Sequence, residues 1–271
     1  MPQTILITGA SSGIGKVTAT HFQAKGWNVV ATMRDPKDGA ELARLDNVQV
    51  VRLDVTNSDS ILSAVAHALE HFGQIDALLN NAGYGAYGPL ENFEMDRIRR
   101  QFDTNVIGLL EVTKAVLPHM RERKSGTVVN ISSIGGQMTF PLGSLYHGTK
   151  FAVEGISEAL HYELEAIGIK VKIVQPGMIA TDFGQRSLDF ANEPAIDEYQ
   201  KVVGAVMAAF GNQSFPPSNP EIVAEVIWNA ITDGSKQLRY RAGADAEMLL
   251  SSRKETDDEA FIDNIKVQFG L

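Results

Sequence analysis

The 271-residue chain contains no cysteine, which excludes a disulfide framework, a thiolate nucleophile and any cysteine-ligated metal site. It also lacks a basic surplus. Lys and Arg total 24 against 33 Asp and Glu, a formal charge of −9 with no lysine-arginine cluster, so a nucleic-acid surface is not expected. No apolar run approaches the roughly 18 residues of a membrane span, and the first strand-like run, Ile5-Leu6-Ile7, leaves no room before it for a signal peptide. The histidines show no metal-ligand spacing with acidic partners. These absences point to a soluble, cytoplasmic protein without metal, acting on a small molecule.

What is present is alternation. Short Val/Ile/Leu runs at residues 5–7, 29–31, 48–53, 77–79, 127–131 and 171–174 are separated by longer segments, helical in period at 59–72, 104–123, 145–167 and 220–232. That order predicts one α/β domain over 1–271, a doubly wound parallel sheet of Rossmann type with helices on both faces. Ligands on such a sheet bind beyond the carboxyl ends of the strands. The chemistry-bearing residues fall there.

The first is a glycine turn, Thr8-Gly9-Ala10-Ser11-Ser12-Gly13-Ile14-Gly15, placed after the first strand. Missing Cβ atoms let backbone N–H groups approach a pyrophosphate at the positive end of a helix. The second is Tyr146 with Lys150, four residues apart and so on one helix face, with Ser133 thirteen residues upstream of Tyr146. A neighbouring ammonium favours phenolate, so Lys150 is expected to lower the Tyr146 pKa and make it an acid or base near neutrality. His147 is turned about 100° from Tyr146 on a helix and is expected at the surface or the substrate rim, outside the chemistry.

With Leu53-Asp54-Val55, Asn80-Asn81-Ala82-Gly83, Asn105 and Pro176-Gly177 in their order, the sequence resembles the short-chain dehydrogenase/reductase family over roughly residues 3–240. Its long segment after Pro176-Gly177 and its extended C-terminus resemble the branch of 17β-hydroxysteroid-dehydrogenase-like and bulky-ketone reductases. The resemblance implies an oxidoreductase in which Tyr146 is the general acid/base, Ser133 holds the substrate oxygen, Lys150 holds the nicotinamide ribose, and Asn105 interrupts its helix and holds a water linking Lys150 to solvent. Ser132 is the rival to Ser133, and Asn105 reads alternatively as a helix cap. The turn residues Gly9, Ser11, Ser12, Gly13, Ile14 and Gly15 would hold the dinucleotide. Asp54 and Val55 would border the adenine, Asn81, Ala82 and Gly83 the adenosine ribose, and Pro176, Gly177, Ile179 and Thr181 the nicotinamide end.

NAD-specific relatives carry an acid at the end of the second strand; here Met33 stands there and Arg34 follows, suited to a 2′-phosphate, so NADP(H) is the expected cofactor. A register shift onto Asp35 reverses that choice. Tyr84, Met138, Phe140, Leu142, Met178 and Phe183 flank the catalytic elements and are expected to line an apolar pocket, unless they simply pack. Residues 182–217, where Tyr199, Val203, Val206 and Phe210 recur at helical spacing beside Phe190 and Phe215, are expected to form a substrate lid, with ordinary scaffold as the competing reading. Residues 246–271 form a C-terminal extension in which Thr256-Asp257-Asp258-Glu259 has capping-box spacing. Relatives pair the helices corresponding to 104–123 and 145–167, which implies a homodimer or homotetramer. The expected reaction is NADPH-dependent reduction of hydrophobic, steroid-like ketones. The competing functions are a 3-oxoacyl-carrier-protein reductase, an enoyl reductase, and a regulator that binds NADPH without turnover.

Overall fold

The computed structural model describes residues 2–211 and 216–271. Phe215 lies outside them. The strands are β1 (Thr4–Ile7), β2 (Asn28–Met33), β3 (Val48–Arg52), β4 (Ala77–Asn80), β5 (Gly85–Tyr87), β6 (Gly126–Ile131), β7 (Ile169–Pro176), β8 (Leu188–Phe190) and β9 (Arg239–Ala242). The helices are α1 (Gly13–Ala24), α2 (Ser58–Phe72), α3 (Met95–Phe102), α4 (Gly108–Arg123), α5 (Ser144–Glu165), α6 (Phe183–Arg186), α7 (Asp197–Gly211), α8 (Pro220–Thr232), α9 (Ala244–Glu255) and α10 (Asp258–Phe269).

Side chains alternate across each strand, so an apolar run feeds both faces of a sheet at once. Ile5, Ile7, Val29, Ala31 and Leu79 join Phe22 of α1 and Ile227 of α8 on one face. Leu6, Val30 and Leu78 join Ile61 of α2 and Val112 of α4 on the other. Seven strands pair in parallel in the order β3-β2-β1-β4-β6-β7-β9. The chain winds outward from β1 in one direction and then, from β4, in the other, which opens a crevice at the carboxyl ends of β1 and β4. Complete burial of Phe22, Ile5, Leu6 and Ile7 contributes roughly 1.5–3 kcal/mol per side chain.

The structure departs from the sequence expectations in detail. The helix expected over 104–123 begins earlier: α3 passes through one wide turn of π-helix, Asp103–Ile107, into α4. Helix α2 starts one residue earlier than expected because the Asn57 side chain accepts the Ser60 N–H at 2.8 Å, and it stops at Gly73 in a left-handed conformation, φ 76°. The cap of α10 is Asp257, which accepts the Ala260 N–H at 2.8 Å, and not Thr256, whose hydroxyl donates back to the Ser252 carbonyl at 2.6 Å. Within 182–217, β8 pairs in parallel with β5, bolting the start of this segment to the loop after β4. Arg97 of α3 grips Asp189 of β8 at 2.5 Å and reinforces that junction.

Candidate active site

Glycine in the β1–α1 turn is required by contact. A Cβ on Gly9, whose φ is +68°, would lie 3.0 Å from the Ala82 Cα, and one on Gly15 would collide with the Gly9 carbonyl. Ser12 is the extended residue preceding α1 and makes no side-chain cap, so the first amides of the helix stay available for an anion. Thr8 stitches the turn to the end of β4: its Oγ1 accepts the Asn81 and Ala82 N–H groups at 3.0 Å each. The Asn81 carboxamide donates to the carbonyls of Thr8 at 2.9 Å and Gly9 at 3.0 Å. This cradle, which any Cβ would fill, fits a dinucleotide pyrophosphate. Ser11, Gly13 and Ile14 are half-buried in the same turn, and the Thr181 side chain stands 3.5 Å from where a Cβ of Gly13 would be.

At the end of β2, Met33 is buried in the core and Arg34 is exposed with no ion pair among the described residues. Asp35 turns into its own backbone, accepting the Lys37 N–H at 3.0 Å. Asp54 likewise accepts the amide and hydroxyl of Thr56 at 3.0 and 2.8 Å, while Val55 packs beneath Gly108. Gly83 lies against Asn105, whose carboxamide holds both backbone groups of Tyr84, the N–H at 3.0 Å and the carbonyl at 2.8 Å. Asn105 then donates to Thr149 at 3.1 Å, and Thr149 to the Tyr146 carbonyl at 2.7 Å. One buried amide in the π turn therefore connects the loop after β4 to the helix that carries Tyr146.

Ser133, Tyr146 and Lys150 come together at the mouth of the crevice. Ser133 accepts the Gly135 N–H at 3.0 Å, which fixes its hydroxyl at the end of β6, and it hydrogen-bonds the Tyr146 hydroxyl. Ser132 is buried. Lys150 donates to the Ile131 carbonyl at 2.8 Å with its ammonium 5.8 Å from the Tyr146 ring centre. Burial lowers the Lys150 pKa from 10.5 to about 8, with Glu154 opposing the shift. Contrary to the expectation of a lowered value, Tyr146 is pushed up, because desolvation of the phenolate outweighs the Ser133 hydrogen bond that pulls it down.

His147 also departs from expectation: it is 2% exposed. Its Nε2 accepts the Phe140 N–H at 3.0 Å, so the proton resides on Nδ1, which donates to the Gly135 carbonyl at 3.0 Å. Burial lowers its pKa, with the Gly135 bond opposing. A neutral imidazole thus pins the loop between Ser133 and Tyr146 to the first turn of α5.

Of the residues expected to line a pocket, Phe183 faces the Tyr146 ring edge-on at 6.0 Å between centres. Tyr84 instead lies under Arg100, whose Nε donates to its hydroxyl at 3.3 Å. Met138 is buried against Ala246 and Leu250 of α9, and Phe140 sits between His147 at 5.7 Å and Phe269 of α10 at 6.0 Å. Phe140 and Leu142 also line a hollow of about 490 Å³, shared with Gly148 and Phe151, that does not include Ser133, Tyr146 or Lys150. Met178 is held through its backbone, its N–H by Asp245 and its carbonyl by Ser218. The sequence reading missed Tyr87, whose ring lies 5.4 Å from that of Tyr146. The stretch that carries it, Gly85-Ala86-Tyr87, has neither an apolar run nor an alternation that would have marked it. Among the described residues no cluster of His, Asp or Glu is arranged to hold a metal, and no helix is long and apolar enough to cross a membrane.

An uncharacterised oxidoreductase of Schizosaccharomyces pombe is 45% identical over 239 residues, covering 88% of this chain and all of its own. A 3-ketodihydrosphingosine reductase of Bacteroides thetaiotaomicron is 45% identical over 182 residues, 67% of this chain and 66% of its own. Among solved structures, a short-chain dehydrogenase from Streptomyces avermitilis superposes with a TM-score of 0.86 at 37% identity, covering 99% of this chain and 98% of that one. ElxO with NADP bound superposes at 0.75 with 26% identity, over 92% of this chain and 100% of that one. Residues 3–191 match the short chain dehydrogenase family. The spacing of glycine turn, serine, tyrosine and lysine, the parallel sheet that gathers them and these matches agree: the chain belongs to the short-chain dehydrogenase/reductase family.

Proposed function

We propose that the chain reduces bulky, hydrophobic ketones to secondary alcohols with NADPH and runs the reverse oxidation with NADP⁺. The observation that carries this reading is the aromatic enclosure of Tyr146, with Tyr87 and Phe183 at 5.4 and 6.0 Å between ring centres. Ring faces at the proton donor favour an apolar substituent on the carbonyl over a polyhydroxylated one. The relative named for 3-ketodihydrosphingosine, itself a hydrophobic ketone, supports the same class. Exposed Arg34, beside a buried Met33 where an acid would favour NAD, supports a 2′-phosphate partner, as does the relative solved with NADP.

NADPH, when bound, supplies the hydride, and NADP⁺ receives it in the alcohol direction. Tyr146 gives the proton of its hydroxyl to the carbonyl oxygen, and its raised pKa keeps that proton in place at neutral pH. Ser133 orients the same oxygen from the end of β6. Lys150 stands over the Tyr146 ring and stabilises the phenolate left by proton transfer. Asn105, through Thr149, holds the first turns of α5 against the loop after β4.

The test is turnover of purified protein on a panel of ketones and alcohols with NADPH and with NADH, repeated with Tyr146→Phe. Hydrophobic ketones with NADPH are expected to be the preferred pair. Tyr146→Phe is expected to keep NADPH affinity and to lose about 10²-fold or more of turnover. A preference for sugars or for carrier-bound 3-oxoacyl groups overturns the substrate reading, and wild-type turnover in Tyr146→Phe removes Tyr146 from its role.

A further inference from the structure

Past the family match, the last strand of the main sheet leads directly back to the nicotinamide end of the site. Strand β9 pairs with β7 through Pro176 and Ala242, and Gly177 N–H donates to the Ala242 carbonyl at 3.0 Å. The chain then passes Gly243 into α9, whose first turn carries Asp245. This carboxylate is 7% exposed. Its Oδ2 accepts the Met178 N–H at 2.6 Å, and its Oδ1 is buried with no hydrogen-bond partner among the described residues.

Two glycines make room for it. A Cβ on Gly177 would collide with both carboxylate oxygens, and one on Gly243, where φ is +111°, would lie 2.6 Å from Oδ1. An unpaired buried carboxylate oxygen is costly, and among the described residues the Met178 amide is the one hydrogen-bond donor that this side chain engages. From the other side Ser218 grips the same stretch, accepting the Ala180 N–H at 2.9 Å and donating its own N–H to the Met178 carbonyl at 2.8 Å. The backbone from Gly177 to Ala180 is therefore held between the β9–α9 junction and Ser218. The next residue, Thr181, faces the glycine turn.

We propose that Asp245 is a positioning residue for the nicotinamide: its carboxylate anchors the Met178 amide, so that Ile179 and Thr181 are in place before the cofactor arrives. This rests on the assignment of Ile179 and Thr181 to the nicotinamide carboxamide. A loop ordered in advance binds without the loss of freedom that an unanchored loop incurs, and that difference appears only at the nicotinamide end of the cofactor. The pyrophosphate cradle and Arg34 lie on other elements, and among the described residues Asp245 makes no hydrogen bond to either.

The experiment compares two ligands on the full chain, NADPH and 2′-phospho-ADP-ribose, the latter lacking only the nicotinamide. Asp245→Ala is expected to weaken NADPH about tenfold, as loss of one charge-assisted hydrogen bond predicts, and to leave 2′-phospho-ADP-ribose unchanged. Asp245→Asn, which keeps an oxygen acceptor for Met178, is expected to restore NADPH affinity. If Asp245→Ala does not fold, Asp245→Ser, whose hydroxyl is too short to reach Met178, takes its place. Equal losses for the two ligands, or no loss for either, overturn the proposal, because a purely structural carboxylate does not distinguish them. Thr181→Ala separates the two levels of failure. If it weakens NADPH alone while Asp245→Ala does not, only the role of Asp245 falls; if it too treats the ligands alike, the nicotinamide assignment falls with it.

Discussion

The Tyr87 ring lies over that of Tyr146, 5.4 Å between centres and tilted by 32°, and the two phenols come from elements that are far apart in sequence. Burial, followed by the neighbouring Tyr146, pushes the Tyr87 pKa well above 10, so it stays a neutral phenol, and its ring walls the site. Tyr87→Phe is expected to retain activity. Tyr87→Ala removes an aromatic pair and one wall of the enclosure, and should lower kcat/KM for bulky ketones about tenfold or more while small ketones lose less. Steady-state kinetics on the two ketone classes is the measurement; equal losses on both would make Tyr87 a packing residue only.

Arg34→Ala is expected to raise the KM for NADPH by roughly ten- to a hundredfold with little change for NADH, since only NADPH carries the phosphate that a guanidinium grips. Parallel changes with both cofactors would make Arg34 structural.

NADPH affinity should decline as pH rises past about 8, where Lys150 loses its proton in the free protein. An anionic ligand holds that proton more tightly, so binding takes up a proton above this value and affinity falls by up to about tenfold per pH unit. Fluorescence titration between pH 7 and 10 measures the slope. Lys150→Arg, which stays charged, should flatten it, and an unchanged slope in that variant would assign the titration to another group.

The buried His147 predicts acid sensitivity of the fold. Its folded pKa lies below the ordinary 6.5, so the unfolded chain binds the proton first as pH drops. Stability is then full above 6.5 and is lost as pH falls from 6.5 towards the folded value. Urea midpoints at pH 7 and pH 5 read this out. His147→Ala should cost about 1–3 kcal/mol at pH 7, for the Phe140 amide left without its acceptor, and should show less further loss at pH 5 than the wild type.

The π turn before α4 and the outer face of α5 leave Ile107, Phe151 and Tyr162 at 48%, 45% and 68% exposure. Gly155 between the last two has nothing within 4 Å of a Cβ position, so the face is flat enough for close approach. Light scattering at micromolar concentration is expected to give at least a dimer, and Phe151→Asp to weaken it. A wild-type monomer would leave this apolar face unexplained.

Residues whose work is set by short-range spacing were legible in the sequence: the glycines of the β1–α1 turn, Ser133 at the end of β6, and Tyr146 four before Lys150 on one helix face. Strands β1, β2, β3, β4, β6 and β7 of the main sheet were legible as well, because burial on both faces writes them as apolar runs. Strand β9 was not, since its sequence, Arg239-Tyr240-Arg241-Ala242, lacks such a run. Nor were β5 and β8, three residues each and paired across about a hundred positions of chain. His147 was misplaced for a related reason. Helix geometry turned it away from Tyr146 correctly, but only the fold shows that the loop at Gly135 and Phe140 wraps over it.

The β5–β8 junction changes the entropy of the segment after Thr181. Without it, the chain from Thr181 to the start of α7 would be one long excursion closed only at its ends. With β8 fixed, residues 182–187 form a short loop closed on both sides, and closure entropy grows only slowly with length, so pinning the middle leaves local freedom largely intact. The backbone freedom left to be lost when a ligand arrives is then that of about six residues, at roughly 1–2 kcal/mol each if fully ordered from a free chain and less for one already held in a helical turn. On the lid reading of this segment, such a chain would order over its ligand and release it again without a slow rearrangement of the whole segment.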